Sequence, residues 1–251
     1  MKLENITPPS ISETNAGSGL AKLASKDWDQ YSRHCRKRFN LVSEIFREKR
    51  NHFNNEDINV LDWGCAIGGV AILFEDKFNV AMHASDVDPH SMKWLSNTIS
   101  KIDTEVLNPG KKLPYNNNTF QYIYGISVLT HIPPEFQEFY LSELKRIASL
   151  NAVVVLTVQS YFACIYNEEK NRNIKVHPRN TEELKELGII YKSYPDHVLN
   201  SMDFSKNSDY GLTYVSREYI EEVYGKYFDI LEIREGAVGF QDVIIMSPKQ
   251  D

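Results

Sequence analysis

The stretch NVLDWGCAIGG, residues 59–69, decides the fold of this 251-residue chain. A short apolar run ends at Asp62, small residues follow, and a helical pattern begins near Gly68. A β-strand that turns into a helix in this way presents backbone N–H groups and the positive end of the helix dipole to whatever lies above the turn. The stretch therefore predicts a site for a ligand with a carboxylate, a ribose or a phosphate.

Apolar runs and helical patterns alternate around this stretch, which indicates a parallel sheet with helices on both faces. The last two predicted strands are joined by a link too short for a helical crossover, so this pair must be antiparallel. The predicted fold is an α/β layered domain. Its strands are expected at residues 58–62, 80–85, 104–107, 120–126, 152–158, 228–235 and 240–246.

The domain organisation follows from where this alternation begins and pauses. Residues 1–26 are rich in Pro, Ser, Asn and Gly, and we expect either a flexible arm or a flap that becomes ordered on a ligand. A single domain then covers residues 27–251 and opens with helices at 27–50. Within it, residues 159–213 interrupt the alternation, and an insertion of this length is usually functional or disordered.

Composition excludes several functional classes. Lys and Arg number 28 against 34 Asp and Glu, and the net charge of −6 gives no general attraction to nucleic acid. The basic run at 33–38 lies in a helical pattern, where Arg33, Arg36 and Lys37 are expected to form a solvated face. Three cysteines without metal-like spacing indicate reduced thiols.

The sequence shows neither a membrane-spanning segment nor a cluster of metal ligands. No apolar run reaches membrane-spanning length and no leader pattern is present, so we expect a cytoplasmic protein without membrane insertion. The histidines are scattered, and we predict no metal site. The oligomeric state is left open.

Five spaced motifs resemble the class I S-adenosylmethionine-dependent methyltransferases. They are VLDWGCAIG at 60–68, ASDVDP at 84–89, LPY at 113–115, FQYIYGISVLTH at 120–131 and LSELKR at 141–146. The resemblance covers residues 60–248. It implies a Rossmann-like three-layer sandwich whose seven-stranded sheet is mostly parallel with one antiparallel C-terminal strand. It also implies an enzyme that uses S-adenosyl-L-methionine.

Two shorter strings resemble one bacterial subgroup of this family. GISVLTHI at 125–132 and GFQDVI at 239–244 are similar to methyltransferases associated with glycan and polysaccharide assembly. The resemblance implies a small-molecule or glycan acceptor.

The resemblance also implies which residues hold the cofactor. Gly64 and Gly68 allow close backbone approach, and Asp62 binds the ammonium group of the methionine part directly or through water. Asp86 binds the ribose hydroxyls and Val87 packs on adenine. Asn108 either binds the adenine amino group or is a turn asparagine before Pro109. The predicted cofactor residues are Asp62, Gly64, Cys65, Ala66, Gly68, Asp86, Val87, Asn108, Ile126 and Ser127, the last two beside the methyl group.

Two positions depart from the pattern of the family. Ala66 stands where glycine is more frequent, and alanine fits without strain only if its φ angle is negative. Residues 149–152, SLNA, replace the usual Pro-Gly-Gly turn before the fifth strand, which leaves the turn geometry open.

The catalytic group is harder to predict, because the cofactor supplies the reactivity and the protein mainly aligns the reactants. His131 is the predicted general base, since a neutral imidazole accepts a hydroxyl proton near neutral pH. Its alternative role is capping or packing before Pro133. Tyr31 either closes over the cofactor or belongs to the core. Other candidates for the acceptor side are Tyr161, Tyr166, His177, Tyr194, His197, Tyr210, Gln241 and Asp242.

The function predicted from these features is methylation of a hydroxyl on a sugar or glycan precursor. Methylation of another small molecule at oxygen or nitrogen is the alternative within the same class. Two other classes stay open, a nicotinamide-dependent oxidoreductase and a non-catalytic cofactor-binding protein. The oxidoreductase is disfavoured because the loop at 59–69 of this chain lacks the three-glycine pattern that holds a pyrophosphate.

Overall fold

A computed structural model describes residues 3–10, 19–50, 55, 57–169, 181–194 and 210–250. Eight α-helices lie in these ranges: α1 Gly19–Lys26, α2 Trp28–Lys49, α3 Gly69–Lys77, α4 Pro89–Thr98, α5 Pro134–Ile147, α6 Tyr161–Glu169, α7 Thr181–Leu187 and α8 Arg217–Val223. Their starts follow capping chemistry. Asp27 caps α2, Asp88 caps α4 ahead of Pro89, and Ser216 caps α8.

The strands form one large sheet and one small one. They are β1 Asn59–Trp63, β2 Ala81–Asp86, β3 Asp103–Val106, β4 Phe120–Gly125, β5 Ala148–Val158, β6 Ile189–Ser193, β7 Gly211–Val215, β8 Phe228–Val238 and β9 Gln241–Pro248. The seven-stranded sheet has the order β3-β2-β1-β4-β5-β9-β8, and β6 pairs with β7. Within the large sheet β9 is antiparallel to β5 and to β8, while the other pairs are parallel. The β6–β7 pair is antiparallel. The predicted sheet with one antiparallel C-terminal strand is confirmed.

Alternate residues of the central strands enter two different hydrophobic cores. Val60 of β1 and Val153 of β5 pack in a core that includes α2 and α3. Their neighbours Leu61 and Val154 pack on the opposite face in a core that includes α5 and α8. Both faces of the sheet are therefore covered by helices, as the continuous apolar run of β5 predicts.

The described part of the N-terminal arm packs on the first of these cores. Leu3 and Ile6 are buried, and the indole N–H of Trp28 donates to the Leu3 carbonyl at 3.3 Å. Apolar side chains spaced among Pro and Ser residues are enough to hold residues 3–10 against the domain. The division into arm, domain and insertion stays a prediction, but this part of the arm is not a free tail.

The insertion contains more regular structure than the sequence predicts. Residues 159–213 contain α6, α7 and most of the β6–β7 pair, whereas the sequence indicates only that the alternation of strands and helices is interrupted there. Residues 149–152 lie within β5 and do not form a turn before it. Asn151 takes a φ of +63°, and the β4–β5 pairing is irregular between Phe120 and Tyr122. Asparagine tolerates this conformation, so a Pro-Gly-Gly turn is not required.

Candidate active site

The loop between β1 and α3 is shaped by two glycines that no other residue would replace easily. Gly64 and Gly68 have φ angles of +71° and +75°. A Cβ atom on Gly64 would lie 2.3 Å from Val128 Cγ2, and one on Gly68 would lie 2.4 Å from Leu95 Cδ2. Both positions therefore need glycine for conformation and for space.

Backbone N–H groups of this loop already have partners within the protein. Those of Gly64 and Cys65 donate to the Ser85 carbonyl at 2.8 and 3.0 Å, and that of Gly68 donates to the Cys65 carbonyl at 2.8 Å. The Ala66 N–H donates to Asp86 Oδ2 at 2.7 Å. These groups are not open to a phosphate, which argues against the anion cradle that the sequence first indicates.

Ala66 itself takes a φ of +52°. The condition under which alanine fits this loop without strain is therefore not met. The hydrogen bond from its N–H to Asp86 holds the residue in the left-handed region, which costs an alanine about 1–2 kcal/mol.

Asp62 is a buried carboxyl group at the C-terminal end of β1. Its pKa is raised to about 8, mainly by burial and also by the Asp86 carboxylate, against the lowering effects of the Tyr124 hydroxyl and the Ala71 N–H. A buried acid whose neighbour is another acid is stabilised in its charged form by a cation. The ammonium group of a methionine moiety supplies such a charge.

Asp86 ends β2 and faces the same loop. Its two carboxylate oxygens accept backbone N–H groups from Ala66 at 2.7 Å and from Asp88 at 3.0 Å. Desolvation nevertheless raises its pKa to about 6. The two backbone contacts fix the orientation of the carboxylate and leave acceptor capacity for ribose hydroxyls.

Val87 and Asn108 flank the same end of the sheet. The Leu107 N–H donates to the Asp86 carbonyl at 2.8 Å, which brings the end of β3 next to Val87. Val87 is 46% exposed, an open apolar surface of the kind an adenine ring covers. Asn108 is exposed and its carbonyl accepts the Lys111 N–H at 3.1 Å, so its turn role is present. Its adenine contact stays a prediction.

Tyr31 belongs to the core rather than to a surface flap. It is buried, and its hydroxyl accepts the Gly69 N–H at the start of α3 at 3.0 Å.

The helix that carries Tyr31, α2, also carries a partly buried arginine that sequence reasoning missed. Arg38 lies two turns beyond Tyr31, its Nε is buried without a partner among the described residues, and burial lowers its pKa. Tyr31 and Cys35 both act electrostatically on its guanidinium.

The seven-residue spacing between Tyr31 and Arg38 was the available signal, because it puts both side chains on one helix face. In the sequence the whole basic run is naturally interpreted as solvated. Only the packing of α2 on α3 distinguishes Arg38 from the exposed Arg33 and Lys37.

Ser127 follows β4 and takes a φ of +62°. Its N–H donates to Thr157 Oγ1 at 2.7 Å, and its hydroxyl donates to Gln241 Oε1 at 2.9 Å. The Thr157 hydroxyl donates to the same oxygen at 2.7 Å. This network joins the ends of β4 and β5 to the start of β9. Of the two acceptor-side candidates Gln241 and Asp242, Gln241 is the one that contacts Ser127. Asp242 instead accepts the Gly236 N–H at 2.9 Å.

His131 is held in one orientation by the insertion. Its Nδ1 lies 2.8 Å from the Gly211 carbonyl, so Nδ1 carries the hydrogen and Nε2 keeps a lone pair. Burial lowers its pKa, while the Gly211 contact opposes this shift. The imidazole therefore stays neutral at physiological pH, as a general base requires. The alternative role of His131 in packing is also supported, because its ring stacks on the ring of Tyr210 with the two centroids 4.5 Å apart.

The remaining candidates from the insertion divide into three groups. Tyr194 and Tyr210 lie beside His131, with ring centroids 6.3 and 4.5 Å from it. Tyr166 stacks on Phe240 at 5.8 Å, and Tyr161 donates to Glu218 at 2.6 Å. His177 and His197 lie outside the described residues.

Two of the predicted cofactor residues, Ile126 and Cys65, are partly buried beside the first core.

A family model described as a methyltransferase domain matches residues 28–199. The chain belongs to this methyltransferase family. Ajmaline N-methyltransferase of Rauvolfia serpentina is 19% identical over 171 residues, which are 60% of this chain and 56% of that protein. The chain thus spans little more than half the length of this curated relative.

Solved methyltransferases share the fold. A SAM-dependent methyltransferase of Methanosarcina mazei is 17% identical, with 78% of this chain and 94% of that chain covered and a TM-score of 0.56. The 1,6-didemethyltoxoflavin-N1-methyltransferase of Burkholderia thailandensis, solved with that compound and S-adenosylhomocysteine, is 10% identical. The match covers 90% and 82% of the two chains, with a TM-score of 0.56. These likenesses show that the methyltransferase domain of this chain has the Rossmann-like fold, with its seven-stranded sheet.

None of the helices described is long and apolar enough to cross a membrane.

Proposed function

We propose that this methyltransferase transfers the methyl group of S-adenosylmethionine to a hydroxyl oxygen of a sugar or glycan precursor, with His131 as general base. The observation that carries the proposal is the contact between His131 Nδ1 and the Gly211 carbonyl at 2.8 Å. It leaves Nε2 as a lone-pair acceptor on a neutral ring. A hydroxyl nucleophile needs such an acceptor for its proton, whereas a neutral amine does not.

S-adenosylmethionine supplies a methyl group bound to a positively charged sulfur, and the attacking oxygen must approach it in line. Two carboxyl groups with raised pKa values, the buried Asp62 and the partly buried Asp86, suit a ligand that brings positive charge and hydroxyl donors. Asp62 binds the ammonium group and Asp86 the ribose hydroxyls. Arg38, with its unpartnered Nε, binds the carboxylate of the methionine part.

The same charges argue against a nicotinamide dinucleotide. A pyrophosphate would meet two carboxyl groups and a loop whose N–H groups are already used by Ser85 and Asp86. Thermal unfolding in the presence of each ligand tests this point, because a specific ligand stabilises the fold by mass action. We expect S-adenosylhomocysteine to raise the unfolding temperature and NAD to leave it unchanged; the opposite result would refute the cofactor assignment.

The sugar or glycan acceptor is supported by the motifs at 125–132 and 239–244 and by the tyrosines around His131, because aromatic faces with polar edges suit sugars. N-methylation is the second candidate. The similarity to an N-methyltransferase favours it, and it would not require His131 as a base. Mass spectrometry of nucleotide sugars, glycans and amines incubated with enzyme and cofactor separates the two candidates by the molecule that gains 14 Da, roughly one methylene.

Replacing His131 with Gln tests the base. We expect turnover on a hydroxyl acceptor to fall about 10²–10⁴-fold, the usual contribution of general base catalysis, with unchanged affinity for S-adenosylhomocysteine. Glu222→Gln is the control, since it changes an exposed polar side chain on α8 that has no assigned role. Full turnover of His131→Gln at saturating acceptor would exclude the imidazole as an essential base.

A further inference from the structure

Tyr210 covers one face of the imidazole of His131. The two ring centroids are 4.5 Å apart and the planes are inclined by 15°. Tyr194 lies beside both rings, 5.7 Å from Tyr210 and 6.3 Å from His131, but it is tilted by 31° and 36°. Tyr210 is therefore the side chain that stacks face to face on the imidazole, and Tyr194 extends the aromatic cluster.

The backbone next to Tyr210 makes the second contact. The Gly211 carbonyl accepts the Nδ1 hydrogen of His131, and Thr213 Oγ1 donates to the carbonyl of Ile132 at 2.6 Å. β7 thus contacts both His131 and the residue after it. Two contacts to the neighbouring strand fix this backbone: Gly211 pairs with Ser193 in the β6–β7 ladder, and the Tyr194 N–H donates to the Tyr210 carbonyl at 3.1 Å. The ring of residue 210 and the carbonyl of residue 211 therefore act on His131 as one rigid unit.

Tyr210 also lies near the cofactor side. Burial raises the pKa of its hydroxyl, with further contributions from Tyr194 and from the Asp86 carboxylate. The hydroxyl is thus neutral and close enough to Asp86 to sense its charge. Tyr210 thus lies within electrostatic range of Asp86 and in ring contact with His131.

We infer that Tyr210 is a positioning residue for His131: its ring and the adjacent Gly211 carbonyl hold the imidazole as the Nδ1–H tautomer with Nε2 free to accept a proton. The inference deepens the proposed function and rests on it for its meaning in catalysis. In water a histidine samples both tautomers and both ring faces, whereas here one face and one nitrogen are occupied. Among the residues that the structure describes, the titratable side chains in ring contact with His131 are Tyr194 and Tyr210.

Nitrogen-15 NMR of histidine-labelled protein tests the inference without any methyl acceptor. The His131 signals are assigned by their loss in His131→Gln. In the wild type we expect a protonated Nδ1, an unprotonated Nε2, upfield ring-current shifts of the imidazole protons and a pKa below the ordinary 6.5. Tyr210→Phe keeps the ring and should preserve all four. Tyr210→Leu should mix the tautomers and move the pKa towards 6.5, as water reaches the exposed face.

Tyr194→Leu is the matched control. It removes a ring from the same cluster without the face-to-face contact, so we expect a smaller change than in Tyr210→Leu. An unchanged tautomer and pKa in folded Tyr210→Leu would overturn the inference. If that variant does not fold, the wild type still decides, because the absence of ring-current shifts or of a protonated Nδ1 would overturn it equally. Binding of S-adenosylhomocysteine, measured separately by calorimetry, reports failure of the proposed function alone.

Discussion

Arg38 shows how a single side chain can be misjudged from its neighbours in sequence. The run RHCRKR at 33–38 has the appearance of a solvated basic face, and Arg33 and Lys37 are indeed exposed. Long side chains on a helix lean towards its N-terminus, so the guanidinium of Arg38 reaches back towards Cys35 and Tyr31. Tyr31 in turn contacts Gly69 at the start of α3. Since the Nε of Arg38 has no hydrogen-bond partner among the described residues, this side chain is well suited to bind a carboxylate.

Replacing Arg38 with Gln therefore has a ligand-specific consequence. We expect affinity for S-adenosylhomocysteine to fall about tenfold or more, because a hydrogen bond to a charged group is worth roughly 1.5–3 kcal/mol. Affinity for 5′-methylthioadenosine, which lacks the amino-acid part, should not change. Calorimetric titration of both ligands measures the difference, and Arg33→Gln on the exposed face is the control. An equal loss for both ligands would show that Arg38 supports the fold and does not bind the carboxylate.

At the scale of elements, the loop from β1 to α3 combines backbone strain with close packing. Gly64 faces Val128 from the segment after β4, so the first motif and the fourth-strand motif are in direct contact. Gly239, in the β8–β9 link, offers a matched comparison. Its φ of +67° is close to the +71° of Gly64, but a Cβ atom there would meet nothing within 4 Å.

Replacing each of these two glycines with alanine separates the cost of the left-handed conformation from the cost of crowding against Val128. Gly239→Ala should lower the free energy of unfolding by about 1–2 kcal/mol, the cost of a left-handed conformation. Gly64→Ala should lower it by a further 1–3 kcal/mol, approximately the cost of overpacking, because Val128 must move. Denaturant unfolding at fixed pH gives both values. Equal losses of unfolding free energy in the two variants would mean that Val128 moves aside without destabilising the fold.

The elements also show what sequence can and cannot predict. The strands β1, β2, β4 and β5 follow from local patterns, and their predicted bounds agree with the structure within a few residues. The β6–β7 pair was missed, because its strands are separated by 17 residues and are paired by tertiary contacts instead of by a turn signal. The Gly211 contact that orients His131 was missed for the same reason, since it joins residues 80 positions apart.

For the whole molecule, the two carboxyl groups link folding, pH and cofactor binding. In the unfolded chain Asp62 ionises near 3.8, whereas in the fold its pKa is raised to about 8. Between these values the folded state binds more protons than the unfolded state, so its stability falls as pH rises. Asp86, raised to about 6, acts in the same direction over a narrower window. A bound ammonium group would offset this loss, since it favours the charged carboxylates.

The ligand-free protein should therefore lose stability from about pH 4 to pH 8, by at least ~1.4 kcal/mol, the value of one pKa unit. Replacing Asp62 with Asn should flatten most of this dependence, whereas the exposed Asp229→Asn should not. Binding of S-adenosylmethionine near pH 6 should release protons, because Asp62 must ionise to pair with the ammonium group. Calorimetry in two buffers of different ionisation enthalpy counts those protons. Binding without proton release would mean that the ammonium group is held elsewhere and that Asp62 remains a neutral, structural acid.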